Sequence, residues 1–101
     1  MTTTQQNGAL VYKPGRNIVA SQLPQLREEL NQLIQEGHQE IAIDLEKVEI
    51  IDSKGLALFM QCHHSLSERS GSLIVLTSNP DFKFMFHAMR LDQHFSIRET
   101  L

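Results

Sequence analysis

At 101 residues and 41% hydrophobic content, the chain is long enough to bury one modest core and too short for two, which excludes a second domain. Its net charge of -3 is spread over interspersed acidic and basic residues, so no basic surface offers a grip on a phosphate backbone and nucleic acid is not an expected partner. Cys62 is the single cysteine, which rules out an internal disulfide, fits a reducing compartment and suits a buried apolar role.

Met1 to Gly8 is polar and rich in Thr and Gln. It has neither the basic start nor the apolar run of a signal peptide, and no stretch of the chain approaches the ~18 apolar residues of a membrane span. The expectation is a mobile arm over residues 1–8 ahead of one cytoplasmic domain over 9–101. Ala9 to Tyr12 and Asn17 to Ala20 are short apolar runs separated by Lys13-Pro14-Gly15-Arg16, which predicts a hairpin turning at the Pro-Gly pair.

From Ser21 the spacing changes. Leu23, Leu26, Leu30, Leu33 and Ile34 recur at intervals of three and four, with Arg27, Glu28, Glu29 and Gln32 opposite, so an amphipathic helix follows, capped by Ser21, with Pro24 in its first turn and Gly37 at its end. Ile41 to Leu45 is dense in apolar and β-branched residues, as in a strand inside a sheet. Val48 to Ile51 carries the chain on. Gly55 to Arg69 is a second helix with Leu56, Phe59, Met60, His63 and Leu66 on one stripe, stopped by Ser70-Gly71.

Leu73 to Leu76 is another buried strand, and Ser78-Asn79-Pro80 opens a third helix over Asp81 to Met89. Phe82, Phe84 and Phe86 alternate as a strand would, but the Asn-Pro start decides for the helix. Such a helix buries two of the three phenylalanines and leaves Phe84 exposed, available to anchor a partner. His94 to Ile97 is a last short strand. The alternation of strands and helices is that of an α/β domain with right-handed crossovers.

Chemistry concentrates at Ile50-Ile51-Asp52-Ser53-Lys54-Gly55-Leu56, where an apolar approach ends in a polar cluster just before a helix. The plain role for Ser53 is the helix N-cap, worth about 1 kcal/mol. The other role is acceptance of a phosphoryl group from a separate kinase, because a helix N-terminus offers N–H donors and a favourable dipole to an anion. Lys54 offsets the added charge and Asp52 repels it, so modification would alter a contact surface more than it would stabilise the helix.

A serine triad finds no support: the Gly-x-Ser-x-Gly pattern is absent, and no motif places His38, His63, His64, His87 or His94 beside Ser53. Cys62-His63-His64 are neighbours on a helix and diverge by about 100°, whereas chelating pairs need spacings of three or four. No glycine-rich phosphate loop is present. Neither a cofactor, nor a metal, nor catalysis is expected.

Ile41 to Leu45, Val48 to Ile51 and then Asp52-Ser53-Lys54-Gly55-Leu56 resemble the STAS domain of bacterial anti-sigma-factor antagonists, and Gly71 before Leu73 to Leu76 and Phe86-x-x-Met89-x-Leu91-Asp92 extend the likeness over nearly the whole chain. The resemblance implies a four- to five-stranded mixed sheet with about three helices mainly on one face, and a partner-switching role. The unphosphorylated form of such a protein binds a serine-kinase-type anti-sigma factor or related regulator, phosphorylation of the serine matching Ser53 releases it, and a serine phosphatase resets the cycle. The same resemblance makes Asp52, Ser53, Lys54, Gly55 and Leu56 the partner-binding segment, with Asp52 shaping the site and Gly55 allowing close approach of a partner.

Three departures stand out. Lys54 stands where the family often has a second small hydroxyl residue, Val19 falls where many members carry an acidic residue after the second strand, and the chain stops soon after Ile97, where a terminal helix is common. The alternatives to a switch are a non-switching STAS subunit of a larger assembly, such as a lipid-transport ATPase complex, in which Ser53 is only a cap, and a small ligand-binding domain or enzyme.

Overall fold

The computed structural model describes residues 2–101. Strands β1 (Thr2–Gln6), β2 (Ala9–Lys13), β3 (Glu40–Asp44), β4 (Ser72–Leu76) and β5 (Ser96–Arg98) form one sheet in the order β1-β2-β3-β4-β5. The β1–β2 pair is antiparallel and the others are parallel. Each parallel step needs a crossover, and helices α1 (Leu23–Gln35), α2 (Ser53–Ser67) and α3 (Pro80–Ala88) supply them in turn.

The period of two along a strand decides which residues meet the helices. Leu10, Tyr12, Ile41, Ile43, Leu73 and Val75 pack with Leu26, Leu30, Leu33 and Ile34 of α1, Leu58, Phe59, Cys62 and Leu66 of α2, and Phe82 and Phe86 of α3. Val11, Ala42, Ile74 and Leu76, of the other parity, form a smaller cluster on the opposite face. All three helices therefore lie over one face, as the resemblance implied. Phe59 meets Phe86 edge-on at 5.3 Å and stacks with Phe95 at 6.4 Å, which ties α2 to α3 and to the lead-in to β5. Full burial of each such side chain contributes roughly 1.5–3 kcal/mol.

Several local expectations change. Residues 2–6, expected as a mobile arm, are strand β1, and the hairpin turns at Asn7-Gly8 instead of Pro14-Gly15. Asn17 to Ala20 is not a sheet strand; Ile18 makes an isolated parallel bridge to Ile51, and Ala20–Gln22 is a 3-10 turn. Ser21 does not cap α1, whose N-cap is Gln22 without a side-chain bond. The buried stripe of α2 is rotated from its expected place, with Leu58 and Cys62 inside and Leu56, Met60 and His63 half-buried. The third helix, expected over Asp81 to Met89, spans Pro80–Ala88, and Met89 is its C-cap and 59% exposed.

α3 starts where its sequence says. Asn79 Oδ1 accepts from the N–H groups of Asp81 at 2.8 Å and Phe82 at 3.3 Å, with Pro80 beside it, and Phe84 stands 72% exposed between buried Phe82 and Phe86.

Candidate functional site

After β3 the chain turns through Leu45, Glu46 and Lys47 and then runs beside residues 17–20. Ile18 N–H donates to the Ile50 carbonyl at 3.0 Å and Asp52 N–H to the Ile18 carbonyl at 3.2 Å. Asn17 Oδ1 accepts from the N–H groups of Glu49 at 2.9 Å and Ile50 at 3.0 Å. Two short segments that fail to join the sheet thus satisfy each other's backbone groups, and they bring the chain to α2 in a fixed direction.

Asp52 is the N-cap of α2, and Ser53, expected to cap, is its first helical residue. Asp52 has extended backbone angles (φ -90°, ψ 178°); its Oδ1 accepts from Gly55 N–H at 2.7 Å and its Oδ2 from Ala20 N–H at 2.9 Å. The carboxyl is held below the ordinary carboxylate range, first by the Gly55 N–H, then by the Ala20 N–H, against a smaller opposing effect of desolvation. Both oxygens are committed to backbone donors on two separate segments.

Gly55 is buried, and the reason is internal to the fold. A Cβ placed there would stand 2.1 Å from the Ile18 carbonyl oxygen and 3.0 Å from both the carbonyl carbon and Cγ2 of Ile18. The close approach that the resemblance assigned to a partner is made by the chain's own backbone. Ser53 and Lys54 are exposed, Leu56 is half-buried, and no side-chain hydrogen bond of Ser53 is present among the described residues. The cap role is filled, so the Ser53 hydroxyl stands free on a rigid helix start.

Ile50 was not singled out by sequence reasoning. Its backbone is held on both sides by Asn17 and Ile18, yet its side chain is 55% exposed three positions before Ser53. No periodic signal marked it: Val48 and Ile51 are buried while Glu49 and Ile50 between them are exposed, which is not the alternation of a strand, and Ile50-Ile51 reads as one apolar run. Phe84 belongs to a separate element, α3.

The histidines lie elsewhere. His63 packs beside His64 at 5.6 Å, His94 at 5.9 Å and Phe95 at 6.0 Å between ring centroids, His87 pairs with Asp92 at 2.8 Å, and His38 lies 3.6 Å from Glu36. Among the described residues no histidine hydrogen-bonds Ser53, and no group of three His, Cys, Asp or Glu is placed to hold a metal ion. Cys62 faces the core, where burial pushes its thiol up to about 12. Among the described residues, no helix is long and apolar enough to cross a membrane.

A family model described as the STAS domain matches residues 1–101. The anti-sigma-B factor antagonist of Staphylococcus aureus is 32% identical over 74 residues, which cover 73% of this chain and 68% of that protein. Among solved structures, protein TM1081 of Thermotoga maritima superposes with a TM-score of 0.90 at 18% identity, covering 99% of this chain and 86% of that one. The anti-sigma factor antagonist SpoIIAA, solved in its unphosphorylated form, superposes with a TM-score of 0.73 at 18% identity (99% and 87% covered), and the Bacillus protein in its phosphorylated form with 0.71 at 17% (95% and 88%). The two solved proteins share this chain's fold: a mixed sheet with helices on one face.

Proposed function

We propose that this chain, which belongs to the STAS domain family, is a phosphorylation-controlled partner switch of the anti-sigma factor antagonist kind. In its unphosphorylated form it binds a serine-kinase-type anti-sigma factor or a related regulator through the surface around Ser53, Lys54 and Ile50. The kinase transfers the γ-phosphoryl of ATP to Ser53: the Oγ–P bond forms, the β–γ anhydride bond breaks, and the hydroxyl proton passes to the kinase's base. A serine phosphatase then hydrolyses the phosphoserine and restores the binding form.

The observation that carries this reading is that Asp52 caps α2 and leaves Ser53 exposed at its first position. A phosphoryl group adds about -1.5 to -2 charges beside a carboxylate whose two oxygens are already engaged, so it is directed outward, where a partner would sit. Desolvating that charge at an interface, next to Asp52, opposes binding. The anti-sigma-B factor antagonist relative, and the phosphorylated form in which SpoIIAA has been solved, support the same assignment.

The test is a pull-down from the native host with the wild type, Ser53→Ala and Ser53→Asp, with the captured proteins identified by mass spectrometry and Ser53 checked for phosphate. The switch predicts that Ser53→Ala keeps a kinase-type regulator and Ser53→Asp loses it. Equal retention of the same proteins by all three forms would instead favour a non-switching subunit.

A further inference from the structure

The two edges of the sheet are guarded differently. β5 is three residues long, carries Arg98 and leads directly into Glu99. Shortness and charge are the usual means by which an edge strand avoids pairing with another chain. β1 has neither. Its five residues are all exposed, uncharged and free of proline, and they pair with β2 in unbroken register.

The hairpin turn determines which backbone groups of β1 are free. Asn7 and Gly8 both have positive φ, 51° and 84°, as a two-residue hairpin loop requires. Gln6 and Ala9 flank that loop and exchange both backbone hydrogen bonds, so by alternation Thr4 with Val11 and Thr2 with Lys13 do the same. Thr3 and Gln5 therefore turn their N–H and C=O groups away from β2, toward the open edge. They sit symmetrically on either side of Thr4.

A strand built this way is its own complement. Rotation by half a turn about an axis perpendicular to the sheet, just outside the strand at the level of Thr4, sets Thr3 of one copy opposite Gln5 of the other, with each pair exchanging both backbone bonds, and sets Thr4 opposite its own counterpart. We propose that this chain self-associates through β1, forming an antiparallel two-fold dimer with one continuous sheet. A second copy fits because the free groups are symmetric about Thr4 and no charge faces its like across the seam. Thr3 and Gln5, on the helix-bearing face, are exposed, so no helix overlies β1 to obstruct the second copy. The rotation reverses strand direction, so the two Ser53 sites point to opposite ends and both stay accessible.

A five-residue edge supplies less than the ~1,200 Å² of a standard interface, so the association is weak, with a dissociation constant of about 10 µM to 1 mM. Sedimentation velocity across that concentration range tests it. The wild type should double its mass reversibly. Thr4→Lys and Thr4→Glu should each remain monomeric because like charges then meet at the axis, and an equal mixture of the two should dimerise. Gln5→Pro removes an outward N–H without touching the β1–β2 ladder and should stay monomeric with an unchanged far-UV spectrum. A wild type that stays monomeric throughout overturns the proposal. So do single-charge variants that dimerise like the wild type, or a mixture that fails to dimerise. If Gln5→Pro does not fold, the charge pair alone decides.

Discussion

Replacing Gly55 by Ala pits two effects of opposite sign against each other. In an α-helix, alanine is favoured over glycine by about 0.8–1 kcal/mol, so helix propensity alone predicts that Gly55→Ala stabilises the protein. The structure predicts the reverse. The new Cβ would lie 2.1 Å from the Ile18 carbonyl oxygen, and ordinary contact begins near 3.4 Å, so the start of α2 must retreat by more than 1 Å from backbone atoms that cannot turn aside. Overpacking of this kind costs about 1–3 kcal/mol. The retreat also stretches the Asp52 N–H bond to Ile18 (3.2 Å) and the Ala20 N–H bond to Asp52 (2.9 Å), each worth about 1 kcal/mol. After subtraction of the propensity gain, a loss of about 2–4 kcal/mol remains, or roughly 10–25 °C in Tm for a domain of this size. Urea unfolding followed by far-UV circular dichroism measures it, with an unchanged slope showing that the two-state transition is intact. A Gly55→Ala protein more stable than the wild type by about 1 kcal/mol would refute the close packing of α2 on Ile18.

The other predictions concern side chains whose roles the structure distinguishes. Asp52→Ala should cost about 1–2 kcal/mol by removing the cap of α2 and its tie to Ala20, while Ser53→Ala should change stability by less than about 0.5 kcal/mol; urea titrations giving the opposite order would return the cap to Ser53. Tyr12→Phe removes the O–H that donates to Glu29 Oε1 at 2.5 Å and should cost about 1–2 kcal/mol. Glu29 is held below the usual carboxylate range, against desolvation, by Tyr12 and Arg16, so its NMR-titrated pKa should rise in the variant. His63 is depressed below its ordinary 6.5, first by burial and then by His64 and His94. The unfolded chain binds that proton more readily than the folded one, so the contribution is fully present above about pH 6.5 and is lost as pH falls below it. His63→Leu should flatten the decline of Tm between about pH 7 and pH 5, and an unchanged slope would show that His63 does not contribute.

Where local chemistry was sufficient, the chain was legible. Asn79-Pro80 announced α3, since a side-chain acceptor followed by a residue lacking an N–H suits only a helix start, and Asn79 does accept from Asp81 and Phe82. The same logic failed at Asp52-Ser53, because both residues are good caps and the choice rests on Ala20, 32 positions away, whose N–H claims the second carboxylate oxygen of Asp52. It failed also at the N-terminus. Thr2 to Gln6 contains nothing apolar to mark a strand, so Asn7-Gly8, although a good hairpin loop by its own chemistry, had no recognisable strand before it until β2 supplies a ladder for residues 2–6.

What the sequence determined by itself is the strand at Ala9 to Tyr12 and the order of helices and strands from α1 onward, the burial of Phe82 and Phe86 around an exposed Phe84, and the position of Ser53 at the start of α2, because these depend on periodicity and on groups within a turn of one another. The tertiary structure decided that Asp52 caps α2 and frees Ser53, that Gly55 is required by Ile18, and that β1 forms an open edge, because each depends on backbone donors and acceptors that meet only after distant segments have packed together.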